Sequence, residues 1–119
     1  MTDTQALIAR LEAATADQQR ELLIEAFEAF HPYPGPRHYL FTEIDWSWDR
    51  LHDRFMRMLD AEAYESAALT LAPEGWGWAW DIDEIAVLTE LDGDGVEIGT
   101  HHLFALAIVI AALRAKGEG

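Results

Sequence analysis

The chain has 119 residues, 50% of them hydrophobic, with five tryptophans and no cysteine. That is long enough for one domain with a single proper core; it argues against disorder and excludes disulfides, thiolate catalysis and zinc–thiolate sites. Acidic residues outnumber basic ones 22 to 8, a formal charge of −14, which repels phosphate backbones and argues against direct nucleic-acid binding.

The N-terminal stretch MTDTQALIARLEAA lacks a positively charged start and a long apolar core, so no secretory signal is expected and the default location is the cytoplasm. Thr2 with Gln5 forms a capping box ahead of Leu7, Ile8 and Leu11, which predicts a short helix. A second box, Thr15 with Gln18, precedes a longer helix running to about Phe30, with Leu22, Leu23, Ala26, Phe27 and Phe30 on its apolar face. Glu21, Glu25 and Glu28 line another side, as on a solvated face.

The segment 31–36, His-Pro-Tyr-Pro-Gly-Pro, interrupts an otherwise single domain spanning 1–119. Tyr39 and Phe41 alternate with His38 and Leu40, so Arg37 to Ile44 reads as an edge strand, a fourth for the sheet. Asp45 to Leu59 returns to helical spacing through Trp48, Leu51, Phe55 and Met58. Most of the basic residues precede residue 58, and Arg37, Arg50, Arg54 and Arg57 gather in this region. An anionic ligand would be balanced here, with His38 beside it; the plainer alternative is a salt-bridged helix surface. Trp46 lies off the apolar stripe near these cations, as an interface or pocket anchor would.

A further helix through Tyr64, Ala67, Ala68 and Leu71 stops before Pro73. The period then changes to two. Trp76, Trp78 and Trp80 share one face of a strand, a comb expected to lie buried against a helix rather than to stack nucleobases. Ile85, Val87, Thr89 and Leu91 alternate with Ala86 and Leu88 in a second strand, and Val96 and Ile98 mark a third. Asp92-Gly93-Asp94-Gly95 between them tolerates the positive φ of a tight hairpin turn. Thr100 is the expected N-cap of a closing helix, His101 to Ala115, apolar on nearly every side. Its apolar run is shorter than the about 20 residues that span a bilayer, so it is core and no membrane partner is expected. The whole predicts an α/β (α+β) fold, a three- to four-stranded antiparallel sheet sandwiched between helical layers.

The block AALTLAPEGWGW (Ala67 to Trp78), followed after the strands by THHLFALAIVIAALRA (Thr100 to Ala115), resembles small bacteriophage and prophage proteins of the phage ABA-sandwich domain family. The N-terminal LIARLEAA is similar too, whereas residues 31–60 match poorly, and Thr100 is followed by His101-His102 where the closing helix of relatives often opens Thr-Pro. The resemblance implies an α/β/α sandwich, a phage or prophage origin and therefore a bacterial host cytoplasm. It implies no activity, and it transfers no functional residue.

Motifs for chemistry are sparse. Counting a calcium loop from Asp92 puts Leu103 where a bidentate Glu is required. Adjacent His101 and His102 point about 100° apart on a helix and do not chelate one ion in the i,i+4 manner. They read as imidazoles at a helix N-terminus, whose free N–H groups also suit a phosphate. Ser47 and Ser66 lie in no GxSxG turn, and phosphate-binding glycine loops are absent from the sequence.

The expectation is therefore a non-catalytic phage-type accessory protein that acts by binding, with a role in counter-defence and as a homo-oligomer, and with no cofactor or metal. Two alternatives accompany it. One is a sponge for a small anionic nucleotide-like signal, bound by Arg37, His38, Trp46, Arg50, Arg54, His101 or His102. The other is an acidic inhibitor of a basic, nucleic-acid-binding host protein. A hydrolase is the remotest reading.

Overall fold

The computed structural model describes residues 3–33, 42–82 and 85–118, with side chains described throughout except at 42–47, 79–82 and 117–118. These residues form helices α1 (Asp3–Glu12), α2 (Gln19–Phe30, led in by a 3-10 turn at Ala16–Gln18), α3 (Thr42–Asp60), α4 (Tyr64–Leu69) and α5 (Phe104–Glu118). Strands β1 (Trp76–Ile82), β2 (Ile85–Glu90) and β3 (Val96–Thr100) pair antiparallel in the order β1-β2-β3. The expected α+β class is what forms.

Local chemistry explains the boundaries. The expected Thr15–Gln18 capping box forms, with the Thr15 N–H donating to Gln18 Oε1 at 3.0 Å, and α2 then buries Leu22, Leu23, Ala26 and Phe27. At the end of α3 the Ala63 N–H reaches the Met58 carbonyl at 2.8 Å and the Glu62 N–H reaches that of Leu59 at 3.0 Å. This is the Schellman pattern, and it holds Glu62 at φ 59°, a left-handed position that glycine usually fills. α4 stops as Thr70 folds its hydroxyl back onto the Ala67 carbonyl at 2.6 Å, ahead of Pro73. Gly75, at φ 87°, turns the chain into β1.

α5 is the centre of the molecule. The sheet lies on one side of it and α1, α2 and α4 lie on the other, so every residue from Ala105 to Leu113 is buried. An all-round apolar helix requires cover on all sides, and each of its Leu and Ile side chains contributes about 1.5–3 kcal/mol by leaving water. The approach to the sheet is close because the contact residues are small. A Cβ placed on Gly99 would stand 2.0 Å from the Ala107 carbonyl oxygen and 2.6 Å from the Ala111 nitrogen. Ala86 and Leu88 complete the buried sheet face.

Several expectations change. Among the described residues α5 packs on β2 and β3 and also meets α1, α2 and α4. Thr42 to Ile44 belong to α3 rather than to a fourth strand, and 37–41 lie outside the described residues. Thr100 does not cap α5: it is the last residue of β3, opposite Ile85, and the helix starts at Phe104. The tryptophan comb is broken by a register shift. Trp76 stands opposite Glu90 and Trp78 opposite Leu88, but Trp80 stands opposite Val87, one position out of phase. Trp76 and Trp78 pack half-buried against the core. The Asp92–Gly95 turn is looser than a two-residue hairpin, since Glu90 N–H bonds the Gly95 carbonyl at 2.9 Å, and neither of its glycines has positive φ.

Candidate functional site

Strand alternation decides what the second sheet face carries. With Ala86, Leu88 and Gly99 turned to α5, the alternate positions of β2 and β3 point the other way: Ile85, Val87, Thr89, Val96 and Ile98. Ile85, Val96 and Ile98 are 42, 53 and 46% exposed, and Leu91 beside them is 67% exposed. Scattered surface hydrophobics are ordinary, but these belong to adjacent, paired strands: Val87 opposes Ile98 and Thr89 opposes Val96. None of these side chains is charged.

Both sheet edges are blunted. On β3 the Arg114 guanidinium donates to the outward carbonyl of Ile98 at 2.6 Å and lies 3.5 Å from a Glu12 carboxylate oxygen. On β1 the register shift between Trp78 and Trp80 disturbs the row of backbone groups a further strand would need. The Trp78 indole N–H is used internally, donating to the Leu69 carbonyl at 3.0 Å.

Of the predicted ligand residues, Arg50, Arg54, His101 and His102 have described side chains. Arg37 and His38 lie outside the described residues, and Trp46 lies on α3 with its side chain outside the description. Arg50 and Arg54 are exposed on the side of α3 roughly 160° from Trp48 and His52 at 3.6 residues per turn. The inward side of α3 forms an aromatic cluster instead. Trp48 and His52 stack at 4.8 Å and 13°, Phe27 meets Phe55 at 4.8 Å, and the Trp48 indole N–H donates to the His31 carbonyl at 2.8 Å. His31 is held below the usual histidine pKa by its burial there. Sequence reading took Trp48 as part of a stripe but missed His52 as its partner, although the i,i+4 spacing was visible. It placed Leu51 on the stripe, where it is exposed.

His101 and His102 stack at 4.6 Å yet have different roles. His101 is buried, and its Nδ1 accepts the Leu103 N–H at 2.9 Å, just ahead of the first residue of α5. His102 is exposed and lines a cleft of about 510 Å³ where α4 and α5 begin, together with Glu62, Tyr64, Glu65 and Ser66.

A second cleft, about 600 Å³, lies between α1, α2 and the end of α5. Its Arg10 is already engaged, donating to both Glu25 oxygens at 2.8 and 2.6 Å, and this bond and the carboxylate's charge raise the guanidinium pKa further. Among the described residues no three His, Asp or Glu side chains gather as a metal site, and no helix is long and apolar enough to cross a membrane. The uncovered sheet face is therefore the strongest candidate surface. Comparison with known proteins adds no relative to this geometry: no family model, curated protein or solved structure matches the chain.

Proposed function

We propose that the chain acts by binding another macromolecule, and that the uncovered sheet face is where contact is made. The observation that carries this reading is the exposure of Ile85, Val96 and Ile98 on paired strands with no charged side chain among them. Burying such a face is favourable at roughly 25 cal/mol per Å² of apolar surface, a gain that the free chain leaves unused. The resemblance of Ala67 to Trp78 and Thr100 to Ala115 to phage ABA-sandwich proteins supports a phage- or prophage-type accessory role, non-catalytic and within a bacterial host.

The anion-sponge alternative keeps the exposed Arg50 and Arg54 of α3 as its described residues there, with Arg37, His38 and the Trp46 side chain outside the description. The test is binding of an apolar fluorescent dye to dilute protein, with folding followed by near-ultraviolet circular dichroism. Wild type is expected to bind dye, and Ile98→Asp and Val96→Asp to lose most of that binding while keeping the folded spectrum. Equal dye binding by the variants, or none by wild type, sinks the assignment of this face.

A further inference from the structure

We infer that the β2–β3 hairpin tip carries a site of spontaneous backbone modification. Asp92 converts to isoaspartate through a succinimide formed with the Gly93 nitrogen, while Asp94, also followed by glycine, is held back by the fold. Asp92 and Asp94 are the aspartates that precede glycine; every other one precedes a residue with a side chain, and the chain contains no asparagine. Glycine lacks the Cβ that would crowd its nitrogen against an incoming carboxyl carbon.

The structure separates the two positions. Asp92, Gly93 and Asp94 are exposed, and residues 92–94 make no backbone hydrogen bond among the described residues. The tip is held at its ends instead: the Leu91 N–H bonds the Gly75 carbonyl and the Glu90 N–H bonds the Gly95 carbonyl, both at 2.9 Å. The Asp92–Gly93 peptide can therefore swing until the Asp92 Cγ meets the Gly93 nitrogen without breaking either bond. What lies nearest to the empty side-chain position of Gly93 is the Glu90 carboxyl, the tip of a flexible side chain. Gly95 is pinned by comparison. It is half-buried, a Cβ on it would stand 2.9 Å from Trp76 Cη2, and the next residue, Val96, already pairs with Thr89. Turning the Asp94–Gly95 peptide toward the Asp94 carboxyl disturbs these contacts.

The reaction needs no co-reactant but water. The Gly93 nitrogen bonds to the Asp92 Cγ, and its proton leaves with the carboxyl hydroxyl as one water, closing the imide. Water then adds across one of the two ring C–N bonds. Opening at Cγ restores Asp92. Opening at the Asp92 backbone carbonyl leaves the chain running through Cβ and Cγ, longer by one methylene, with a free α-carboxylate in place of the side-chain one. The formal charge is unchanged, and the connection between β2 and β3 is lengthened at its tip.

The test is to age the full chain for weeks at neutral pH, folded and in parallel unfolded in guanidinium chloride. Isoaspartate is counted by methylation with an isoaspartyl methyltransferase and assigned to Asp92 or Asp94 by electron-transfer fragmentation of the proteolytic peptide. In denaturant the two positions should react at similar rates; in the folded chain Asp92 should exceed Asp94 several-fold. Asp92→Glu keeps the charge but requires the larger glutarimide ring, so it should remove most of the methylation of the folded chain, with near-ultraviolet circular dichroism confirming the fold. Gly93→Ala should slow the reaction at Asp92; Gly93 has no positive φ, so the backbone accepts the substitution. A folded chain without isoaspartate at Asp92, modification of Asp94 as fast as that of Asp92 in the folded chain, or methylation undiminished in Asp92→Glu overturns the inference.

Discussion

Gly99 shows how much one hydrogen atom in place of a methyl can decide. Its missing Cβ is what admits the backbone of α5 at Ala107 and Ala111, and backbone atoms, unlike a side-chain tip, have no rotamer by which to yield. Gly99→Ala should cost about 2–3 kcal/mol or more by pushing α5 off the sheet, read as a fall in the denaturation midpoint. Gly77→Ala is the contrast. Its Cβ would meet only the Leu91 side-chain tip, at 3.0 Å, so its loss should be well below that of Gly99→Ala. His31 carries a different signature. Burial lowers its pKa from the usual 6.5, so the unfolded chain binds the proton more tightly than the folded one does. Stability therefore falls as pH drops through 6.5 and stops falling, on this account, below the folded value. The imidazole resonance should titrate below 6.5, and His31→Gln should flatten the stability slope just under that pH; an ordinary or raised titration would contradict the burial argument.

At the scale of elements, the side-chain links between units are unequal, and Arg114 makes two of them. From α5 it reaches the Ile98 carbonyl on β3 and Glu12 on α1, at 2.6 and 3.5 Å. The first is a short charge-assisted hydrogen bond to an edge carbonyl; the second is a longer, solvent-exposed pair, a kind worth little. Arg114→Ala should thus cost about 1 kcal/mol, discounted for its exposure, while Glu12→Ala stays within about 0.5 kcal/mol. Equal losses measured by chemical denaturation would reverse the ranking. These elements were unevenly legible in the sequence. α5 was readable because Leu103 to Leu113 leaves no polar side, and α2 because Thr15, Gln18 and a clean apolar stripe agree. The register shift in β1 was not, since Trp-Gly-Trp-Ala-Trp keeps its alternation whether or not the pairing with β2 slips. Nor could the sequence choose the inner face of β2, where Ala86 and Leu88 compete with Ile85, Val87 and Thr89. The smaller set is buried because the Gly99 contact brings α5 close. A strand apolar on both sides was nevertheless a visible sign that both faces seek cover, and it was the only sequence signal of the candidate surface.

For the whole molecule the dominant long-range force is its own charge. The described Arg–carboxylate pairs include Arg10–Glu25, Arg20–Asp60 and Arg114–Glu12, each solvent-exposed on at least one side, set against an excess of 14 acids. Exposed pairs contribute roughly 0–1 kcal/mol apiece, whereas the uncompensated carboxylates act on one another across a body whose radius of gyration is 14.5 Å. At about 0.01 M salt the screening length, about 30 Å, exceeds that radius, so the carboxylates repel collectively; at about 0.15 M it shrinks to about 8 Å and only near neighbours remain coupled. Unfolding spreads the charges and relieves this repulsion, so salt should stabilise the folded chain. The melting temperature is expected to rise from about 10 mM to about 500 mM NaCl, most steeply below about 0.15 M, where the screening length crosses the molecular radius. Measured on dilute protein, at concentrations where copies do not meet, that rise isolates the intramolecular effect. A melting temperature that falls with salt would mean that attractive pairs outweigh the acid excess.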